Sequence, residues 1–412
     1  MQLLEKNEYI CSCENHEMMK IAKILILAAV MCSSCATAQD NGWVGTWAAA
    51  AEFTGKNDMP AEPLTDRSLR EIVHVTMGAD KLRLKLSNEF SAEPVEIKAV
   101  YVADALDSCD INVKSARYLS FGGKRGVTIE PGKLVVSDPC RYALKPLQRL
   151  SVTICYGSTP VNATSHRGSR TTSYIIKGEA KPKTSFGSGE RVDHWYSIAA
   201  IEVPASGQEC IAVLGNSITD GRGSTTNLQN RWPDVMAEHL AELGKPMAVL
   251  NLGIGGNCVV RGGLSEPALK RFDRDILNQE GVTALVIFEG INDIGGSKGR
   301  SEQMAQQLIE AYQEMIKKAH DRGLKVYLAT ITPYGKSFYD DTFFKEAARQ
   351  AVNQWIRSNK EADGFIDFDE LMRDPDAPAQ LRGDLQEDWL HPNAKGYKVM
   401  GEYAAKFFLS RQ

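Results

Sequence analysis

Between Cys210 and the C-terminus, five short apolar runs alternate with segments of helical periodicity, and few folds accommodate that alternation. The runs lie at 211–214, 247–251, 284–288, 325–330 and 364–368. Between them, Met304, Leu308, Ala311, Met315 and Ala319 fall on one helical face within 302–320. In 343–358 the corresponding face is Phe344, Ala348, Ala351 and Trp355. A last helix, after the helix-starting Pro392, presents Tyr397, Met400, Ala404 and Phe408. Short buried strands joined through helices predict an α/β domain over 210–412, a doubly wound parallel sheet with helices on both faces. Residues 41–205 have another rhythm. Alternating runs such as Lys81-Leu-Arg-Leu-Lys-Leu86 and Leu147-Gln-Arg-Leu-Ser-Val-Thr-Ile-Cys155 are separated by turn-rich stretches. They predict an accessory β-sandwich of jelly-roll type, with a linker near Pro204-Ala-Ser-Gly-Gln208.

In parallel sheets of this kind ligands collect beyond the carboxyl ends of the strands. Four polar or glycine-rich segments arrive there. Ser217 follows the first strand in Gly215-Asn-Ser-Ile-Thr, and Leu252-Gly-Ile-Gly-Gly-Asn257 follows the second. Glu289-Gly-Ile-Asn-Asp293 follows the third, and Asp388-Trp-Leu-His391 precedes the last helix. A serine hydroxyl is a poor nucleophile until an imidazole takes its proton, and the imidazole needs an acceptor on its other nitrogen. Ser217, His391 and Asp388 are the candidates for those three parts. An oxyanion formed by attack on an ester carbonyl needs preorganised donors. The backbone N–H groups of Ser217 and Gly256 and the side-chain amide of Asn292 are the candidates. Asp293 reads as a structural bond, and Asn257 as either a substrate contact or a brace for its loop. Arg222 and Arg261 lie close enough to the motif loops to meet a substrate.

These segments resemble, in order, the four blocks of the SGNH hydrolases, the GDSL-type esterases and lipases. The resemblance spans most of 211–405, and the preceding β-rich part resembles that of an exported, carbohydrate-esterase-like branch. It implies a flavodoxin-like fold, with Ser217 as nucleophile, His391 as base, Asp388 as its orienter, and Gly256 and Asn292 as oxyanion donors. One position departs: the residue before the serine is usually aspartate in this family and is Asn216 here. Asn can still cap and bond locally, so tuning rather than inactivation is expected.

A net charge of −4 and a pI near 6.1, with no long basic run, give no electrostatic case for nucleic acid. No Cys/His cluster has metal-ligand spacing, and the expected chemistry calls for no metal or other cofactor. Residues 1–38 read as an address. Lys20 and Lys23 precede the apolar run Ile24–Met31, followed by small residues, which is the order of a secretory signal. Met18 or Met19 would be a more natural start, making residues 1–17 a mis-called beginning. Ala36-Thr-Ala38 suits ordinary cleavage, whereas Ser33-Ser34-Cys35 resembles a bacterial lipoprotein box that would attach the protein to a membrane through a lipidated Cys35. Either way a periplasmic, outer-membrane or secreted protein is expected. Cys155 and Cys210 read as buried small hydrophobes, and Cys109 with Cys140 as a candidate disulfide whose pairing spacing cannot establish.

The histidines of the β-rich part, His74, His166 and His194, read as solvated or core-edge residues. Trp43, Trp47 and Trp195 read as core rather than sugar platforms. Arg231 and Arg271 read as ion-paired. An acylated carbohydrate, and within it a short acetyl ester, is the expected substrate. Two alternatives stand beside it: a lipase or lysophospholipase, for which no extended hydrophobic loop is evident, and a non-catalytic carbohydrate-binding surface protein.

Overall fold

A computed structural model describes residues 42–339 and 342–411. The leader features, including Cys35, lie outside the described residues. From Cys210 the chain builds a five-stranded, all-parallel sheet. Its spatial order is Ala248–Gly253, Cys210–Gly215, Ala284–Phe288, Lys325–Ala329, Gly364–Ile366. This is the 2-1-3-4-5 order of flavodoxin-like sheets, whose switch point lies between the first and third strands. Four of the five strands have wholly or almost wholly buried residues, as expected when helices cover both faces.

The helices Ser301–His320 and Ala394–Leu409 bury the faces their periodicity predicts. The cap of the second is Asn393, whose side chain accepts from the Gly396 N–H at 3.0 Å, so Pro392 stands just outside the helix rather than in its first turn. Helix Phe343–Ser358 is rotated relative to expectation. It buries Ala348, Arg349, Val352, Asn353 and Ile356 and leaves Phe344 and Ala351 exposed. The reason is polar: Arg349 donates to Asp369 at 2.6 Å and to the Ile331 carbonyl at 2.9 Å, and Asn353 bonds both backbone groups of Ile331. Two buried polar anchors outweigh the apolar periodicity, because leaving either unpaired would cost about 1–3 kcal/mol.

Residues 43–204 form three antiparallel sheets. One runs Trp43–Ala48, Ile198–Pro204, Ala79–Ser87, Leu134–Val136, with Cys140–Leu144 also pairing to Ala79–Ser87. A larger one is centred on Arg67–His74, Arg149–Tyr156 and Val95–Asp104. The smallest joins Trp195–Tyr196, Thr164–His166 and Glu52–Phe53. Trp47 and Trp195 pack edge to face at 4.9 Å in the core. That core continues without a break into the parallel sheet. Strand Trp43–Ala48 lies against the edge strand Ala248–Gly253, and a Cβ at Gly45 would come within 2.8 Å of Leu250 Cδ1. Gly42–Gln412 is accordingly one compact unit.

The proposed Cys109–Cys140 link does not form. Cys109 is buried with Tyr174, Ala180 and Phe186, while Cys140 opens a strand opposite Leu82, and both are free thiols. Cys155 and Cys210 are fully buried.

Candidate active site

Strand Cys210–Gly215 delivers Asn216 and then a one-turn helix, Ser217–Asp220. The turn is tight enough that a Cβ on Gly215 would stand 2.1 Å from Thr219 Oγ1. Asn216 caps the turn, its Oδ1 accepting from the Ile218 N–H at 3.1 Å. Its Nδ2 donates at 3.2 Å to Glu289, a carboxyl that burial pushes well above its ordinary range. An aspartate at 216 would set two carboxyls against each other here, so the departure from the usual residue is matched by its neighbour. Ser217 is 6% exposed, at the end of the strand and the start of the helix.

Its Oγ lies 2.9 Å from His391 Nε2. On the other side of the ring, Nδ1 donates to both Asp388 oxygens, at 2.8 and 3.0 Å. That fixes the tautomer with Nε2 free to accept the serine proton. The Asp-x-x-His spacing works because Asp388 Oδ1 also accepts the backbone N–H groups of Leu390 and His391, closing a local turn with Trp389 at φ +64°. Burial, helped by Arg222 and Arg170, holds His391 below the ordinary histidine range despite the pull of Asp388. That shift favours the neutral ring that a general base needs. Partial burial would raise Asp388, but its bonds from His391 and Leu390 outweigh that and hold it low.

The backbone N–H groups of Ser217 and Gly256 donate to no acceptor among the described residues. Gly256 has φ +69°, and a side chain there would strike Leu264 at 2.7 Å. The Asn292 amide is held at both ends: Nδ2 donates to the Asn257 carbonyl at 2.7 Å, and Oδ1 accepts from Tyr339 Oη at 2.7 Å. This leaves its second N–H unassigned. Ser217, Gly256 and Asn292 all line one cavity of about 750 Å³ with His391.

Asn257 is a brace and not a substrate contact. It is fully buried, donating to Ser265 and Glu266 and accepting from Arg271 at 2.9 Å. Arg271 also reaches the carbonyls of Leu252 and Gly215, so one buried guanidinium ties together the loops carrying Ser217 and Gly256. Asp293 is structural, accepting the N–H groups of Val259 and Val260 at 2.8 and 3.2 Å, and burial raises it to about 6. Arg231 pairs with Asp234. Arg222 and Arg261 do line the cavity.

The antiparallel region supplies a wall of the cavity: Glu52, Asp58, Arg167, Gly168, Arg170 and His194. Of its histidines, His74, bonded to the Leu147 carbonyl, and the partly exposed His194 sit at the edge of the core as expected, and His166 does not. His166 is buried between the Ala50 carbonyl and Asp220 Oδ1, each at 2.9 Å, and His194 bonds the Arg167 carbonyl at the cavity wall. Burial works against the charged form of His166, but Asp220 and Glu52 outweigh it and raise its pKa. Asp220, three residues past the nucleophile, is thereby clasped from the antiparallel side. Tyr339 and these wall residues had no local signal in the sequence, except that Asp220 shares a helical turn with Ser217.

A serine hydroxyl bonded to an imidazole that a carboxylate orients, with unengaged N–H donors beside it, is an arrangement that can carry out acyl transfer. Residues 213–399 match the GDSL-like lipase/acylhydrolase family, so the chain carries an ester-hydrolase domain of that family. No curated protein matches the chain in sequence. Among solved structures, it is similar to a lipase/acylhydrolase from Enterococcus faecalis, with 22% identity, 50% of this chain and 97% of that one covered, and a TM-score of 0.39. It is also similar to a GDSL-like lipase from Bacteroides thetaiotaomicron (18% identity, 51% and 92% covered, TM-score 0.39). A carbohydrate acetylesterase from Sinorhizobium meliloti aligns at 13% identity over 50% of this chain and 100% of that one, with a TM-score of 0.39.

Proposed function

We propose that the protein is an exported serine esterase that removes short acyl groups, acetyl foremost, from plant-type polysaccharides or their oligosaccharides. The observation that carries the serine mechanism is the continuous relay Ser217 Oγ–His391 Nε2–Asp388, at 2.9 and 2.8 Å. Ser217 attacks the ester carbonyl as His391 takes its proton. The Ser217 and Gly256 N–H groups and the Asn292 amide receive the oxyanion. His391 then protonates the leaving alcohol, and water, deprotonated by the same ring, releases the acid from Ser217. The charged cavity wall suits a hydroxyl-rich leaving group better than a long alkyl chain, which has nothing to offer those charges in exchange for their hydration. Export rests on the leader sequence and is tested by fractionating cells that express the full chain.

A second reading, lipase-type hydrolysis, has one observation in its favour. Leu264 and Phe338, 70% and 71% exposed, stand at the cavity and offer an apolar edge that the sequence did not reveal. Acetate release from acetylated xylan and pectin, alongside p-nitrophenyl esters of two to sixteen carbons, separates the two. Wild type, Ser217→Ala and His391→Ala are compared. Acetate release lost in both variants supports the proposal; a preference for long chains with no acetate from any glycan replaces it with the lipase reading.

A further inference from the structure

Four arginines line the cavity, and they differ in what holds them. Arg167 is hydrogen-bonded to an acid: its Nε, Nη2 and backbone N–H donate to Glu52 at 2.6–3.0 Å, Nη2 also reaches the Leu264 carbonyl, and Nη1 stands 3.9 Å from Asp58. The other three are not. Arg170 makes no side-chain hydrogen bond among the described residues and only approaches Asp220 Oδ2 at 3.6 Å. That carboxylate accepts from His166 through Oδ1, while its Oδ2, the oxygen facing Arg170, has no hydrogen-bond partner among the described residues. Arg222 is 64% exposed and stands 4.0 Å from Asp388, which His391 occupies. Arg261 donates only to a neutral carbonyl, that of Asn292, at 2.7 Å, and its Nε is buried without an acceptor.

A guanidinium carries five N–H donors in a planar fork suited to a carboxylate. Three such groups with donors to spare, converging on one cavity from both halves of the molecule, are poorly explained by a neutral substrate. Arg170 is moreover held at φ +50°, an unfavourable conformation for a side-chain-bearing residue, by the bond from the Asn227 N–H to its carbonyl at 2.9 Å. We infer that the cavity recognises a carboxylate on the substrate's sugar, so that the esters cleaved are those of acidic, uronic-acid-containing glycans, with Arg170 and Arg222 as the specificity determinants. This rests on the esterase reading for turnover, but not for binding.

The test is competition. Inhibition of p-nitrophenyl acetate hydrolysis by free galacturonate, galactose and glycerol phosphate is measured at low and high salt. Galacturonate is expected to inhibit at concentrations about tenfold or more below galactose, the range of a charge-assisted hydrogen bond. Salt should narrow that gap. The gap should close in Arg170→Gln/Arg222→Gln and return only in part in Arg170→Lys/Arg222→Lys, which keeps the charge but not the planar fork. Equal inhibition by the two sugars overturns the inference, as does a gap that survives the glutamine pair. Inhibition by glycerol phosphate without galacturonate overturns it in favour of a phospholipid headgroup. Calorimetric titration of galacturonate into Ser217→Ala protein reads the same site without turnover. A wild type that cleaves no ester would therefore sink the proposed activity, while the anion preference is decided by the heat.

Discussion

The Asn292 amide makes a quantitative case, because two bonds of equal length hold it in different ways. Asn292→Ala removes the N–H itself. Loss of one oxyanion donor costs about 3 kcal/mol of transition-state stabilisation, so kcat should fall roughly 10²- to 10³-fold. Tyr339→Phe leaves the donor in place and removes only the 2.7 Å bond to Oδ1, while the 2.7 Å bond to the Asn257 carbonyl still orients the amide. A single hydrogen bond of this kind contributes about 0.5–1.5 kcal/mol net, so the loss should be roughly two- to tenfold. Both effects belong in kcat more than KM, since the donor engages charge that develops only in the transition state. The assay is steady-state hydrolysis of p-nitrophenyl acetate by both variants, with melting temperatures measured in parallel. Folded Asn292→Ala protein with kcat within threefold of wild type would refute the oxyanion assignment. Equal damage from the two substitutions would show that Tyr339 acts in some way other than orienting the amide.

Other outcomes follow from the charges around the relay. His391 sits below its ordinary value, so kcat/KM should hold until the pH falls below about 6.5 and then drop as the ring protonates. Arg222→Gln removes one of the charges that depress it and should move this acidic limb to higher pH in a pH–rate profile. Asn216→Asp places a second carboxyl against Glu289. A buried acid with a raised pKa stabilises the fold fully below its unfolded value, about 4.5, and that stability is lost as pH rises toward the folded value. The substitution should therefore steepen the fall of melting temperature between pH 5 and 9, and a parallel curve would contradict the pairing. Gly168→Ala would put a Cβ 1.8 Å from Asp220 Oδ2, and should lower both the melting temperature and kcat. A variant with wild-type values of both would show that the clasp on Asp220 is loose.

The parts that could be read from the chain are those encoded locally. Strand and helix in the parallel half follow from short apolar runs and helical spacing, and the relay follows from two motifs whose backbones end at one sheet edge. Asp388 and His391 share a four-residue turn, so even their mutual geometry was legible. Helix Phe343–Ser358 was misread because Arg349 and Asn353 are buried by partners, Asp369 and Ile331, that periodicity does not register. Asn257 was ambiguous for the same reason: its role depends on Arg271, fourteen residues away, folding back beneath it.

The least legible element was the antiparallel wall of the cavity, and its position suggests a division of labour. Every group proposed to touch the reacting atoms comes from the parallel half. Glu52, Arg167, Arg170 and His194 reach the same cavity from strands and loops that carry none of the four motifs. His166 ties this wall to Asp220, one helical turn from the nucleophile, across 54 residues of chain. Because the core is continuous, the wall is fixed relative to Ser217 to the precision of a packed interior rather than of a tethered neighbour. Wall residues that touch neither Asp220 nor His391 can therefore be varied to change which alcohol is accepted, while Gly168 and Arg170 are tied to the relay, and this is the arrangement expected of a fold that keeps one chemistry while varying its substrates.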